Sequence, residues 1–226
     1  LVSSYLYQCL AIGNAELARW LHEEGIVFQK RHYKPLAFSN LQFTEREMFR
    51  GYQQVMGQVS FQVSSMREDI CLAIIDGVCK KRSLQLLDEE LPLEEVKVLP
   101  PILLQTTMEY QSLSPIVVVA QMDGKQHYCH PLESRFYDQL RVTLGNWYQI
   151  KWNEPMPEVP IDIALAKPER FNLRRAAVLT EVKGKKIKGY MLDLRITAPI
   201  TVQQLIVEQS LGNYGVQGFG YQQPVN

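Results

Sequence analysis

The order of secondary-structure signals constrains this chain more than any single motif does. Residues 116–225 read as strand, helix, strand, strand, helix, strand, and residues 2–104 read as the same series without its first strand. In the first half, Leu6, Leu10, Leu17 and Leu21 mark two helical pieces over 2–24. Gly13-Asn14 interrupts them, Asn14 caps the second, and Gly25 stops it. Strands are expected at 33–43 and about 57–64, a helix at 67–82 striped by Ile70, Ile74 and Val78, and extended segments at 84–87 and 96–104. In the second half, a strand at 116–121 ends at Asp123-Gly124. Helices follow at about 132–146, where Phe136, Leu140 and Leu144 recur, and after Pro199, where Val202, Leu205 and Ile206 form an apolar side. Extended segments lie near 159–173 and 186–197, with a short strand at 177–182 between them and a last strand at 219–225.

That order spells the ferredoxin-like βαββαβ motif. The expected fold is therefore α+β, with two ferredoxin-like domains in tandem at 1–110 and 111–226, divided around Ser112-Leu113-Ser114-Pro115. The first strand of the first domain is absent, and the chain does not begin with Met, so residues upstream of Leu1 are expected to be missing from it.

A chain of 226 residues, 46% hydrophobic and 21% charged, has the composition of a soluble protein with room for real cores. No apolar run reaches membrane-spanning length and no signal peptide opens the chain, so no membrane partner is expected and the cytoplasm is the natural setting. Cys9, Cys71, Cys79 and Cys129 show neither paired zinc spacing nor a disulfide framework. His127 and His130 flank Cys129 at a strand end, but without a second ligand pair no metal site or cofactor is expected.

Net charge is zero, yet the charge is unevenly placed. From 167 to 188 there are eight basic residues (Lys167, Arg170, Arg174, Arg175, Lys183, Lys185, Lys186 and Lys188) against Glu169 and Glu181. Five acids and no base lie between Asp88 and Glu95. One strongly positive face on a neutral molecule suits a phosphate backbone. The run Gly212-Asn213-Tyr214-Gly215-Val216-Gln217-Gly218-Phe219-Gly220 points the same way. Four of the chain's 13 glycines fall in these nine positions, between a helix and a strand. Aromatics between them argue for a shaped loop, and neither the dinucleotide fingerprint nor a Walker loop matches the spacing.

Among the four histidines, His22 stands at a helix end, with Tyr7 fifteen residues before it and Lys34 twelve after. An imidazole, a phenol and an ammonium are the parts that RNA cleavage needs. They supply a base for the 2′-hydroxyl, an acid for the 5′-oxygen, and a cation for the charge on phosphorus.

Five stretches together resemble a known family. They are Leu6-Tyr7 leading to Trp20-Leu21-His22-Glu23-Glu24-Gly25; Tyr33-Lys34-Pro35-Leu36-Ala37-Phe38-Ser39; Leu113-Ser114-Pro115-Ile116; Ala164-Leu165-Ala166-Lys167-Pro168-Glu169-Arg170-Phe171; and Ser210-Leu211-Gly212 to Gly218-Phe219-Gly220. The chain resembles the CRISPR-associated repeat-cleaving endoribonucleases (the Cas-six family of the RAMP superfamily). The resemblance implies tandem ferredoxin-like domains and metal-independent cleavage of CRISPR repeat RNA, leaving 5′-hydroxyl and 2′,3′-cyclic phosphate ends. It assigns Tyr7, His22 and Lys34 to catalysis. RNA binding falls to the basic set with Gly212, Asn213, Gly215, Gln217, Gly218 and Gly220. Pre-crRNA is the implied partner, other CRISPR effector or adaptation proteins are possible ones, and the enzyme would act as a monomer or homodimer. The loop departs from the family's basic form, having no Lys or Arg between Gly212 and Gly220. Backbone N–H groups and the amides of Asn213 and Gln217 would then have to serve. Two other readings fit the same residues: a non-catalytic RNA-binding RAMP subunit, and the RNA-processing domain of a larger CRISPR fusion. Tyr7 with His22 favours the nuclease, since binding alone needs neither.

Overall fold

The structure is a computed structural model and describes residues 2–50, 52–86 and 88–225. Helices α1 (Val2–Gly13) and α2 (Ala15–Glu23) are separated by Asn14, whose Oδ1 accepts a hydrogen bond from the Leu17 N–H at 3.0 Å. Such a cap satisfies a donor with no partner inside the helix and is worth about 1 kcal/mol. The hairpin β1 (Ile26–Phe28) and β2 (Arg31–Tyr33) follows, then β3 (Ala37–Phe38), the long hairpin β4 (Gln42–Phe49) and β5 (Tyr52–Ser60), and β6 (Val63–Ser64), which pairs with β3. Helix α3 (Glu68–Lys81) leads into the hairpin β7 (Ser83–Leu86) and β8 (Glu89–Pro92).

Leu6, Cys9, Leu10, Leu21, Ile70 and Ile74 bury the contact of α1 and α2 with α3. Two glycines set how close those helices come. A Cβ at Gly77 would stand 1.8 Å from the Cys9 carbonyl oxygen, and one at Gly13 would stand 2.0 Å from the Ala73 oxygen. Real Cβ atoms do not approach so near, so α1 and α3 touch backbone to backbone at both points.

The second half contains β9 (Thr107–Ser112), the hairpin β10 (Val119–Met122) and β11 (Lys125–Tyr128), α4 (Ser134–Trp152), β12 (Asp162–Leu165), the single turn α5 (Leu173–Ala176), the hairpin β13 (Ala177–Val182) and β14 (Lys185–Tyr190), β15 (Asp193–Thr197), α6 (Ile200–Glu208) and β16 (Gln222–Val225). Four strands form one antiparallel sheet in the order β12-β15-β9-β16. Counted along the motif that is second, third, first, fourth, the ferredoxin-like arrangement, with Phe136, Leu140 and Leu144 of α4 and Val202, Leu205 and Ile206 of α6 in its core. The buried Gln203 is satisfied: its Oε1 accepts from Tyr110 at 2.6 Å, and its Nε2 donates to Thr106 and Ile196 oxygens.

The sheet's first strand is β9 at 107–112, not the expected 116–121. Met108, Tyr110 and Ser112 alternate inward against Glu109 and Gln111, which is the period-two signal of a half-buried strand. Ile116, Val117 and Val118 are fully buried but lie outside the sheet, and Ile116 exchanges backbone hydrogen bonds with Tyr190 at 2.8 and 2.9 Å. The expected strand at 33–43 is broken around Pro35, and 96–104 carries no strand.

The halves meet through paired groups. Tyr33 stacks edge-on against Trp147 at 5.0 Å and its hydroxyl accepts from Asn146 Nδ2 at 3.0 Å. Asn40 N–H donates to the Leu113 oxygen at 3.1 Å.

Gly→Ala inside a helix ordinarily stabilises by about 1 kcal/mol. At Gly77 the contact with Cys9 reverses the sign, because α1 must move to admit the methyl, at about 1–3 kcal/mol. Thermal unfolding of Gly77→Ala should therefore show a midpoint lowered by roughly 2–4 °C for each kcal/mol of destabilisation. An unchanged or raised midpoint would mean the helices have room.

Candidate functional site

The candidate catalytic side chains collect at the C-terminus of α2. Gly25, at φ +65°, turns the chain back, and a Cβ there would meet the Tyr33 oxygen at 2.5 Å. That turn brings β2 and the residue after it over the helix end. Lys34 Nζ donates to the His22 carbonyl, and His32 Nδ1 donates to the Glu24 carbonyl at 2.7 Å. The last carbonyls of a helix lack intrahelical partners and carry partial negative charge, so two basic side chains cap them favourably.

His22 lies in the last turn of α2 with its ring exposed, and half-buried Tyr7 of α1 meets it edge-on, centroids 5.5 Å apart at 85°. Tyr7, His22 and Lys34 are thus brought together, although they lie on three different segments. Burial pushes the Tyr7 phenol up to about 12. The Lys34 ammonium is held below its ordinary value, first by burial and then by the charge of Lys183. Lys183 stands in the two-residue turn of the β13–β14 hairpin, at φ 50°, followed by Gly184 at φ 77°. A cation from the second half therefore reaches the site built on the first, which sequence spacing alone could not have shown.

The glycine loop is mostly occupied with its own fold. Backbone N–H groups of Asn213, Gln217, Gly218 and Gly220 donate to the oxygens of Val117, Tyr214, Gly215 and Pro115, and Asn213 Oδ1 accepts from Val119 N–H at 2.9 Å. Gly218, at φ +86°, packs on the Phe38 ring, where a Cβ would stand 2.6 Å away. Ser3 Oγ donates to the Val216 oxygen at 3.1 Å. Ser3 is one turn before Tyr7, so the loop rests on the helix that presents the phenol. Gly212 sits over Val117 and Gly215 over Ser210, each too close for a Cβ; Gln217 is exposed.

All eight basic residues of 167–188 are exposed, in two groups. Lys167, Arg170 and Arg175 line an open cleft of about 470 Å³ with Phe171 and Asn172, and Arg174 lies beside them in α5. Lys185, Lys186 and Lys188 follow Lys183 along β14, with Lys188 Nζ 5.7 Å from the Tyr190 ring.

One cluster was only half visible in the sequence. His127 Nε2 lies 3.1 Å from Glu133 Oε2, His130 Nε2 lies 2.9 Å from Glu133 Oε1, and the ligand atoms of His127, Cys129 and Glu133 are all within 4.8 Å of one another. The turn closed by Glu133 N–H on the His130 oxygen brings the carboxylate back onto the histidines. The missing signal was Glu133 itself, three residues after His130. Burial pushes its carboxyl up, but the hydrogen bond from His127 and the neighbouring His130 ring outweigh that and hold it below the usual carboxylate range.

Two family models divide the chain between them. Residues 1–97 match the family described as CRISPR-associated protein Cas6, N-terminal, and residues 94–223, more than half the chain, match CRISPR associated protein Cas6, C-terminal. The chain belongs to the Cas6 family. Among curated proteins it is similar to the CRISPR-associated endoribonuclease Cas6 of Pyrococcus furiosus, 27% identical over 172 residues. That match covers 75% of this chain and 63% of the relative, so the chain spans under two thirds of that protein's length. A solved structure of a Cas6-related protein from Pyrococcus furiosus superimposes with a TM-score of 0.83 at 20% identity, over 99% of this chain and 88% of that one. A RAMP protein described as binding different RNA substrates gives 0.82 at 20% identity, over 100% and 90%. At these identities the likeness is one of fold: the Cas6 chain is a tandem ferredoxin-like protein. No helix among the described residues is long and apolar enough to cross a membrane.

An exposed tyrosine is half ionised near pH 10. Since Tyr7 is pushed up to about 12, a spectrophotometric titration at pH 10 should show nearly equal phenolate in the wild type and Tyr7→Phe. A deficit of half a tyrosine in the variant would place Tyr7 in water.

Proposed function

We propose that this Cas6 chain is an endoribonuclease that cuts CRISPR repeat RNA without routing any step through a metal ion. Residues 1–110 carry the cutting groups, and 111–226 supply the basic hairpin and the loop that rests on α1. The observation that carries the reading is the meeting of Tyr7, His22 and Lys34 at the end of α2. The name of the Pyrococcus furiosus relative, an endoribonuclease, supports it.

Proton roles follow from the environments. A phenol pushed up to about 12 is protonated throughout the neutral range, so Tyr7 is poorly suited to act as the base. Imidazole is the side chain that exchanges protons near neutrality, and His22 presents it to solvent. In the proposed step His22 takes the proton from the 2′-hydroxyl. The 2′-oxygen bonds to the adjacent phosphorus, the bond to the 5′-oxygen breaks, and that oxygen, far more basic than a phenolate, receives a proton from Tyr7. Lys34 stabilises the charge that builds on the non-bridging oxygens. The products are a 2′,3′-cyclic phosphate and a 5′-hydroxyl. Lys167, Arg170, Arg174, Arg175, Lys183, Lys185, Lys186 and Lys188 hold the backbone of the repeat. With so many of its N–H groups turned inward, the glycine loop acts more by shape than by charge, through Gly212, Asn213, Gly215, Gln217, Gly218 and Gly220.

His22→Ala should lower the single-turnover rate on repeat RNA by about 10²–10⁴. Wild-type cleavage by that variant, or a linear 2′- or 3′-phosphate formed directly in EDTA, would sink the mechanism. In Lys185→Ala, Lys186→Ala and Lys188→Ala, the salt slope of binding to uncleavable RNA should fall by about 0.7 for each phosphate that is no longer neutralised. Slopes equal to the wild type would leave the hairpin as a solvated surface.

A further inference from the structure

We propose that His127, Cys129 and Glu133 form a binding site for a zinc ion, which fastens the β10–β11 hairpin to the start of α4. The site is separate from Tyr7, His22 and Lys34 and does not depend on their assignment.

The donor set selects the ion. One imidazole nitrogen, one thiolate sulfur and one carboxylate oxygen suit zinc, whereas magnesium and calcium favour all-oxygen shells. Zinc bonds of 2.0–2.3 Å in a tetrahedral shell put neighbouring donors roughly 3.3–3.8 Å apart. The His127–Glu133 pair stands at 3.1 Å and the whole set falls within 4.8 Å, so small side-chain movements close the shell. Cys129 is only 1% exposed, while His127 is partly exposed, so an ion can enter from the histidine side. On binding, the Cys129 thiol gives up its proton to solvent and the ion takes its place, with water completing the shell.

His130 has a different part. Its Nδ1 accepts from the Leu132 N–H at 3.2 Å, which leaves Nε2–H to donate to Glu133 Oε1. That bond fixes the carboxylate with Oε2 toward His127, so His130 is a positioning residue. The hairpin so anchored also supports the glycine loop. Gln126 Nε2 donates to the Tyr214 hydroxyl at 2.9 Å, and Tyr128 packs into the same small cluster as Tyr214, around Val117, Ile187 and Phe219.

The test is a titration of the full chain, stripped with chelator and dialysed, with cobalt(II) alone. One equivalent should bring up a thiolate-to-cobalt charge-transfer band, and added zinc should displace it. Cys129→Ser should abolish the band. His127→Ala, which keeps the thiol and alters a partly exposed side chain, should lose saturable binding. His130→Ala should keep the band but bind about 10- to 100-fold more weakly. Cys79→Ser should change nothing. No thiolate band in the wild type, undiminished affinity in His127→Ala, or loss of the band in Cys79→Ser would each overturn the site.

Discussion

The first half of this chain depends on two places where helix backbones touch. Gly77 lies against the Cys9 carbonyl and Gly13 against the Ala73 carbonyl. Together the contacts fix both the distance and the rotation of α1 on α3. Ile70 and Ile74 then meet Leu6, Cys9 and Leu10 as one buried layer. Tyr7 belongs to that same helix. Its place on α3 is inherited from those backbone contacts, while the Asn14-capped joint between α1 and α2 sets it against His22.

Around the end of α2 the electrostatics are built from backbone as much as from side chains. The carbonyls of His22 and Glu24 draw in Lys34 and His32. Lys183, arriving from the second half, opposes Lys34 and helps hold its ammonium below the ordinary value. A phosphate entering there would meet the two cations together. The acids of 88–95, which balance the formal charge, sit exposed around the β7–β8 hairpin instead. Neutrality of the whole molecule and polarity of one face are compatible for that reason.

The helices were legible because each carries an apolar stripe whose period survives burial: Ile70 and Ile74 in α3, Phe136, Leu140 and Leu144 in α4. Strand β9 was hidden by its neighbour. The unbroken run Ile116-Val117-Val118-Val119 is the louder signal, yet its first three residues are buried outside the sheet, Ile116 and Val118 in the main core with Phe136 and Tyr190, and Val117 against Ile187 and Phe219 beside the glycine loop. Met108, Tyr110 and Ser112 alternate more quietly and form its centre. Tyr7, His22 and Lys34 came from family resemblance together with the chemistry of their side chains. The approach of Lys183 had no sequence signal at all, since it depends on how one half docks on the other. Nor did the inward commitment of the glycine-loop N–H groups, whose acceptors are set only by the folded chain.

The bond from Ser3 to Val216 joins positions 213 residues apart. On a ribosome, α1, α2 and α3 can pack as soon as they emerge, but the loop that rests on α1 is made long after them. Until then, the helix bearing Tyr7 lacks its neighbour and Lys34 lacks Lys183. A nascent chain would hold the parts of the candidate site without its enclosure, so the surface around Tyr7 and Lys34 is completed only as synthesis of this region finishes.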